Sequence, residues 1–431
     1  MEVRVMNKLR MIYGCLLLGL VFACGAKADD ISDMKKQIAD MQARLDQMEA
    51  QQKKVVAEEV NKAVEEKQAK LPDSIKWVEN MKISGDLRYR YEGIDSQSKG
   101  KWSSKGNSDS IERNRLRARI GIYDKINDEV DVGFRLGGGA NGDPTSTNQT
   151  EGSAFSKKPI WLDQAYFDWH PKDITGFDFI GGKMPKPFYR VGDNQLIWDD
   201  DLNPEGLAVK YEMPLSDSLK AYINGGGFWV GNPDNTDTSV GASTSLWGIQ
   251  GYLKNTFEDK SYLLGGLSYY TYGHIEDEPN VSSTWGKNSF FGNTSSAGKY
   301  KYGYNIVEGF AEYGTKIADY PVAVYGDVAR NTDAPGSHNN AWLIGTTFNK
   351  AKDPGSWQLG YNYREVQSDA VVGQFNDSDF DGGGTNARGH WFNFTYQLAK
   401  NFQTGLSYFI DENITTNDKY RRLQADLVFK F

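Results

Sequence analysis

Residues 113–123 read Arg-Asn-Arg-Leu-Arg-Ala-Arg-Ile-Gly-Ile-Tyr, so Leu116, Ala118, Ile120 and Ile122 alternate with Arg113, Arg115, Arg117 and Arg119. Successive side chains of a strand point to opposite faces, and only that geometry sorts a period of two. A helix would scatter the four arginines around its axis. After Lys125 to Asp128 a second run interleaves Val130, Val132, Phe134 and Leu136 with Glu129, Asp131, Gly133 and Arg135. The whole stretch from Glu112 to Leu136 is a tight hairpin of two long strands, one face greasy and the other charged. In a soluble sandwich the greasy face is the core. If many such hairpins follow with no helix to cover them, the apolar face meets lipid and the charged face lines a watery lumen.

The rest of the chain decides between the two. From Met81 to the last residue sixteen alternating segments can be marked, at about 82–92, 112–123, 129–138, 160–169, 176–183, 206–213, 218–228, 245–256, 261–272, 303–314, 320–329, 341–349, 356–366, 388–398, 402–411 and 420–431. The connections alternate in length as well. Those at 124–128, 171–175, 214–217, 258–260, 317–319, 350–355 and 399–401 are short, whereas 93–111, 139–159, 184–205, 229–244, 273–302, 330–340, 367–387 and 412–419 are mostly long and polar. Short turns at one rim and long loops at the other are expected of an all-β, up-and-down antiparallel transmembrane barrel of about sixteen strands, with both termini in the periplasm. A sandwich has no reason to segregate loop length. The chain ends in the same pattern, Leu423, Ala425, Leu427, Phe429 and Phe431 alternating with Arg422, Gln424, Asp426, Val428 and Lys430. That run resembles the terminal strand by which outer-membrane barrels are recognised during assembly.

Composition agrees with this class. The 431 residues are 39% hydrophobic and 13% aromatic, with 46 glycines and 24 tyrosines, and the mean hydropathy of −0.61 excludes a helical membrane protein beyond the N-terminus. A barrel is not excluded, since only alternate residues of each strand need be apolar. The net charge of −8 argues against general nucleic-acid binding.

The N-terminal portion follows other rules. Arg4, Lys8 and Arg10 precede an apolar run from Met11 to Ala23, and Ala26-Lys27-Ala28 has the form of a signal-peptide cleavage site. Cleavage there gives a signal peptide over 1–28, removes both cysteines, Cys15 and Cys24, and moves the charge from −8 to −11 because four basic and one acidic side chain leave. A lipoprotein with Cys24 acylated is opposed by the bulk of Phe22. Ile31, Met34, Ile38, Met41, Leu45 and Met48 then step by three and four, and Val56, Val60, Ala63 and Leu71 continue the seam after a stutter. This predicts a periplasmic coiled-coil helix over 29–71, a rod of roughly 60 Å. One helix cannot bury such a stripe alone, so self-association is expected. Pro72 ends it, 72–80 is a linker, and the barrel occupies 81–431.

A barrel of this size is wider than its side chains can fill, so a water-filled lumen is expected. Arg113, Arg115, Arg117, Arg119 and Arg135, extended by Arg88 and Arg90, form its basic wall. The loop 184–205 carries Asp193, Asp199, Asp200, Asp201 and Glu205, and is expected to fold inward and oppose that wall as an acidic constriction. Opposed charge across a waist orients polar solutes and tunes ion preference. The alternative is that these groups pair to brace the loop and the wall. Asp377, Asp379 and Asp381 have the spacing that begins a calcium loop, but Arg388 stands at the twelfth position where a bidentate Glu is required. A weak calcium site and a solvated acidic loop are both open there, and no other cofactor is expected. Enzymatic signals are absent: Gly137 to Gly142 fits a nucleotide-loop pattern but leads to Asp143-Pro144, and His170, His274, His338 and His390 have no metal-ligand spacing. Trp161, Trp169, Trp247, Trp342, Trp357 and Trp391 read as girdle or wall residues.

With these features in view, the sequence resembles the porin family of Gram-negative outer membranes whose members carry a periplasmic coiled coil. The resemblance spans essentially the mature chain and is most specific at residues 113–121, 161–171, 181–188 and 199–211. It implies a passive outer-membrane diffusion channel, assembled as a homotrimer and surrounded by outer-membrane lipid. The coiled coil and basic wall are also similar in style to those of phosphate-selective porins. A second reading makes the barrel an anchor whose coiled coil tethers the membrane to peptidoglycan.

Overall fold

The computed structural model describes residues 78–97, 109–231, 244–281 and 289–431, together with a set of residues between 36 and 59. The proposed signal peptide lies outside them. Two compact units divide at Lys76 and Trp77. In the first, the described residues are helical. Met41, Leu45 and Met48, three residues of the predicted seam, are 55–61% exposed.

The second unit contains β1 (Lys82–Ser96), β2 (Asp109–Asn127), β3 (Val130–Gly137), β4 (Gln149–Thr150), β5 (Trp161–Trp169), β6 (Phe177–Lys183), β7 (Glu205–Pro214), β8 (Leu219–Trp229), β9 (Ser245–Thr256) and β10 (Tyr262–Gly273). It continues with β11 (Ser295–Ser296), β12 (Lys299–Tyr300), β13 (Tyr304–Ile317), β14 (Tyr320–Asn331), β15 (Asn340–Phe348), β16 (Trp357–Val366), β17 (Ala387–Ala399), β18 (Phe402–Asn413) and β19 (Lys419–Lys430). Sixteen of these form the wall, each antiparallel to its sequence neighbour. The ring closes where β1 pairs with β19, Arg90 opposite Asp426. β4 adds two residues to β2 above the short β3, and β11 pairs only with β12. The sixteen predicted segments coincide with the sixteen wall strands to within a few residues.

The wall is inside-out relative to a soluble protein. Leu87, Ile120, Ile249, Leu267, Val328 and Ile344 are 44–68% exposed, while Arg90, Glu92, Arg364 and Arg422 are 0–6% exposed. This inversion excludes the sandwich, whose leucines would be buried, and requires an apolar solvent outside. The short turns are tight: at Ala318-Asp319 both residues have positive φ, 47° and 71°, the two-residue geometry that matches strand twist. Trp247 and Trp342 face outward as predicted girdle residues do, 60% and 39% exposed, whereas Trp391 stands opposite the inward Asn362 and faces the interior.

Candidate pore interior

The inner face of β1 and β2 carries the arginine ladder. In register, Asp86 faces Arg119, Arg88 faces Arg117, Arg90 faces Arg115, and Glu92 faces Arg113. Two direct Arg–Arg pairs are therefore bracketed by an acid at each end. Like charges opposite one another destabilise a sheet, and the neighbours remove the penalty. Asp86 takes Nε of both Arg117 and Arg119 at 2.7 Å. Asp426 on β19 grips Arg90 in a fork at 2.7 Å per arm. Glu92 meets Arg113 at 2.6 Å and Arg115 at 3.6 Å. Arg135 is held by Asp163 at 2.6 Å, and Arg88 donates to Asn148 at 2.6 Å. All seven predicted arginines thus face inward, and five of them touch a carboxylate closely; Arg115 stands 3.6 Å from Glu92 and Arg88 3.9 Å from Asp426.

Sequence reasoning missed the acids that neutralise this wall, and it missed Arg422. That side chain, 2% exposed, pairs with Glu92 at 2.6 Å and Asp379 at 2.7 Å. The signal was present in the alternation of β1 and β19, where Asp86, Glu92 and Asp426 share the parity of the arginines.

The loop 184–204 does fold inward. Met184, Val191, Leu196 and Trp198 are 0–3% exposed and join a cluster with Phe228 and Tyr270. Gln250 of β9 holds both backbone groups of Tyr189, accepting from its N–H at 2.7 Å and donating to its oxygen at 3.0 Å. Glu312 accepts the Gly192 N–H at 2.7 Å, and Asn194 donates to Asp327 at 2.8 Å. Gly192 has φ 56°, and a Cβ there would sit 2.3 Å from the Tyr325 ring. No other residue fits.

The five acids of the expected constriction do not form one face. Asp201 alone reaches the ladder, 3.2 Å from Arg119, and it also accepts from Thr147. Asp200 pairs with Arg190 of its own loop at 2.7 Å, and Glu205 pairs with Lys183 at 2.8 Å where β6 and β7 begin to separate. Asp199 turns away to accept the Ser378 N–H at 2.9 Å. Asp193 lines cavities on the short-turn side. Both Asp199 and Asp201 lie in the loop, outside the spanning strands. Burial and the Asp201 and Asp377 carboxylates push Asp199 well above the ordinary carboxylate range. Burial opposes ionisation of Asp201 too, but Arg117, Arg119 and Arg88 outweigh it and hold the group at about 2.

The segment 367–386 differs most from expectation. Val371, Val372, Phe375, Asp377, Phe380 and Asp381 are 0–9% exposed, so this is a second in-folded loop and not a solvated one. Asp377 pairs with Arg364 at 2.7 Å, Asp379 with Arg422, and the Asp381 N–H donates to Asp411 at 3.0 Å. Asp377 and Asp379 face different arginines, and among the described residues no group of three or more acidic, His or Cys side chains could hold a metal. Of the two alternatives left open by the spacing, this arrangement lends no support to a calcium site, since guanidinium groups stand against two of the three acids. Asn293 ties this loop to the segment after β10, donating to Ser368 and Val371 oxygens at 2.7 and 2.8 Å.

The in-folded loops fill one side of the lumen with apolar side chains and leave separate spaces. A cavity of 550 Å³ lined by Trp161, Trp198, Asp201 and Phe375 lies toward the long loops. One of 560 Å³ lined by Arg190, Asn194, Glu312, Lys316, Asn362 and Trp391 lies toward the short turns. A third, of 350 Å³, is bordered by Arg119, Arg135, Lys186 and Asp200. The freely open lumen of the sequence reading is thus divided into separate spaces beside the loops.

A family model described as "Putative porin" matches residues 94–308 and 310–431. The chain belongs to that family. Among solved structures, Pseudomonas putida OprB at high pH aligns with this porin-family chain at a TM-score of 0.50 and 11% identity, over 81% of this chain and 94% of that one. At that identity the likeness concerns the fold, a porin-type barrel. A loop-deletion mutant of OmpT, an outer membrane protein of Vibrio cholerae, aligns at 0.46 and 13% identity over 81% and 99% of the two chains. A triple mutant of Rhodopseudomonas blastica porin aligns at 0.43 and 14% identity over 81% and 100%. No curated protein matches the sequence.

Proposed function

We propose that the chain is a passive diffusion channel of a Gram-negative outer membrane, passing small hydrophilic solutes through the space left beside its two in-folded loops. One observation carries this reading: cavities of 550 and 560 Å³ lie on opposite sides of the loop 184–204 inside a closed ring of strands. Membership of the porin family supports the location. The largely neutralised ladder supports weak ion preference in place of a strong anion filter, because shared carboxylates offset most of the wall's positive charge and leave a modest field for a passing ion. The loop acids and arginines then act chiefly as the brace that keeps the waist at one width. Reconstitution into a planar bilayer tests the reading. Stepwise conductance with a reversal potential close to zero in a salt gradient is expected, and a membrane that stays silent at high protein load sinks it.

A second reading keeps the chain as an anchor that tethers the outer membrane to peptidoglycan. The uncovered stripe of Met41, Leu45 and Met48 favours self-association of the N-terminal helix as a coiled coil in the periplasm, and hence a homotrimer. Binding of the full chain to purified peptidoglycan sacculi, without conductance, would favour this reading over the channel.

A further inference from the structure

Two buried polar atoms on the short-turn side of the loops are left without the partners their chemistry demands. Asn362 and Arg364 are each 3% exposed and stand on the inner face of β16. Asn362 Oδ1 has no donor and Arg364 Nε has no acceptor. Asp377, 2% exposed, meets Arg364 Nη1 at 2.7 Å through its Oδ2. All three line the 560 Å³ cavity, and so does Trp391, which stands directly across from Asn362 on β17. Buried polar atoms are seldom left unsatisfied, because each costs about 1–3 kcal/mol. A pair of them beside one cavity marks a place where something else completes the set.

Resting on the channel reading, we propose that this cavity is a binding station for a neutral polyhydroxylated solute of mono- or disaccharide size. The orphaned atoms are one acceptor and one donor, two residues apart on one strand face, a separation of roughly 7 Å. A hydroxyl donates and accepts through one atom, so neighbouring hydroxyls of a polyol satisfy both. A simple ion satisfies only one. Of the charges around the cavity the buried ones are spent, Arg364 on Asp377, Arg190 on Asp200, and Glu312 on Tyr262 at 2.5 Å and the Gly192 N–H at 2.7 Å, while Asp193, Lys260, Lys316 and Lys350 are exposed at its margin. An ionic solute seated at Asn362 and Arg364 would have to break the Arg364–Asp377 pair. The Trp391 ring supplies the remaining element, an apolar surface for the C–H side of a pyranose.

The test uses the full chain in planar bilayers, with maltose and glycine as probes at matched concentrations. Maltose is expected to reduce the open-channel current saturably, and glycine to leave it unchanged. Asn362→Leu and Trp391→Leu are expected to raise the half-saturating maltose concentration about tenfold, the scale of one lost hydrogen bond, each normalised to its own open-channel current. Trp391→Phe keeps a ring and is expected to restore most of the effect. Equal block by glycine, absence of saturable block by maltose, or block indifferent to both leucine variants overturns the station. Failure of the variants to give the heat-shifted gel mobility of a folded barrel leaves the maltose–glycine comparison on the unaltered chain to decide. A chain that does not conduct refutes the channel reading instead, and calorimetric titration of maltose into the micellar protein then decides the binding site alone.

Discussion

Arg119 of the wall and Asp201 of the in-folded loop meet at 3.2 Å, the one close ion pair between the arginine ladder and the acids of that loop among the described residues. Arg119 also binds Asp86, and Asp201 also accepts from Thr147, so the contact ties β2, the loop 184–204 and the segment after β3 together. Asp201→Asn removes one of the negative charges that offset the ladder while keeping the shape of the side chain. The expected result is a reversal potential moved toward chloride selectivity in a salt gradient. An unshifted potential would mean that the pair lies outside the conducting path.

Arg422→Met leaves Glu92 and Asp379 buried without the cation that both contact at 2.6 and 2.7 Å. Breaking a buried pair from one side costs about 3–5 kcal/mol. Lower thermal stability in detergent micelles and a reduced yield of heat-shifted barrel are expected, with a smaller loss for Lys183→Met, which breaks the more exposed Lys183–Glu205 pair. Equal stability of the two variants would contradict the bracing role.

The sixteen strands were legible because each carries a period of two that nothing else in the chain imitates, and the loop lengths gave the topology independently. The inward turn of residues 184–204 was legible from Phe188, Tyr189 and Trp198, apolar groups with no place in a solvated loop. What the alternation could not supply was partner identity. Asp379 lies more than forty residues from Arg422 and almost three hundred from Arg90, and only closure of the ring brings them together. The Asp377–Asp379–Asp381 spacing stayed ambiguous for a related reason: a run of acids reads the same whether it awaits calcium or the guanidinium groups that meet Asp377 and Asp379.

The choice between those two readings is directly testable. Titration of millimolar calcium into the folded protein is expected to give no saturable heat, because Asp377 and Asp379 are bound by guanidinium groups and Asp381 sits against Asp411. Saturable binding lost in Asp379→Asn would restore the calcium site.

Asp199 provides a pH test with a definite sign. Burial, with Asp201 and Asp377 beside it, raises this carboxyl well above the ordinary range in the folded chain. A group of this kind favours the folded state when protonated, so its contribution is full below the ordinary carboxylate value and fades as pH climbs through the raised one. Asp201 behaves oppositely: held at about 2, it stabilises above the ordinary carboxylate value and loses its contribution only as pH falls toward 2. Above the ordinary carboxylate range the Asp201 contribution is constant, so Asp199 acts in one direction there, and the unaltered chain is expected to lose thermal stability as pH rises. Asp199→Asn cannot ionise, and its melting temperature is expected to change less over the same interval, even though the amide replaces the acceptor facing the Ser378 N–H and lowers the absolute value. Parallel pH profiles for the two proteins would show that Asp199 is already ionised, and that the two loops meet through a charge the surrounding acids ought to repel.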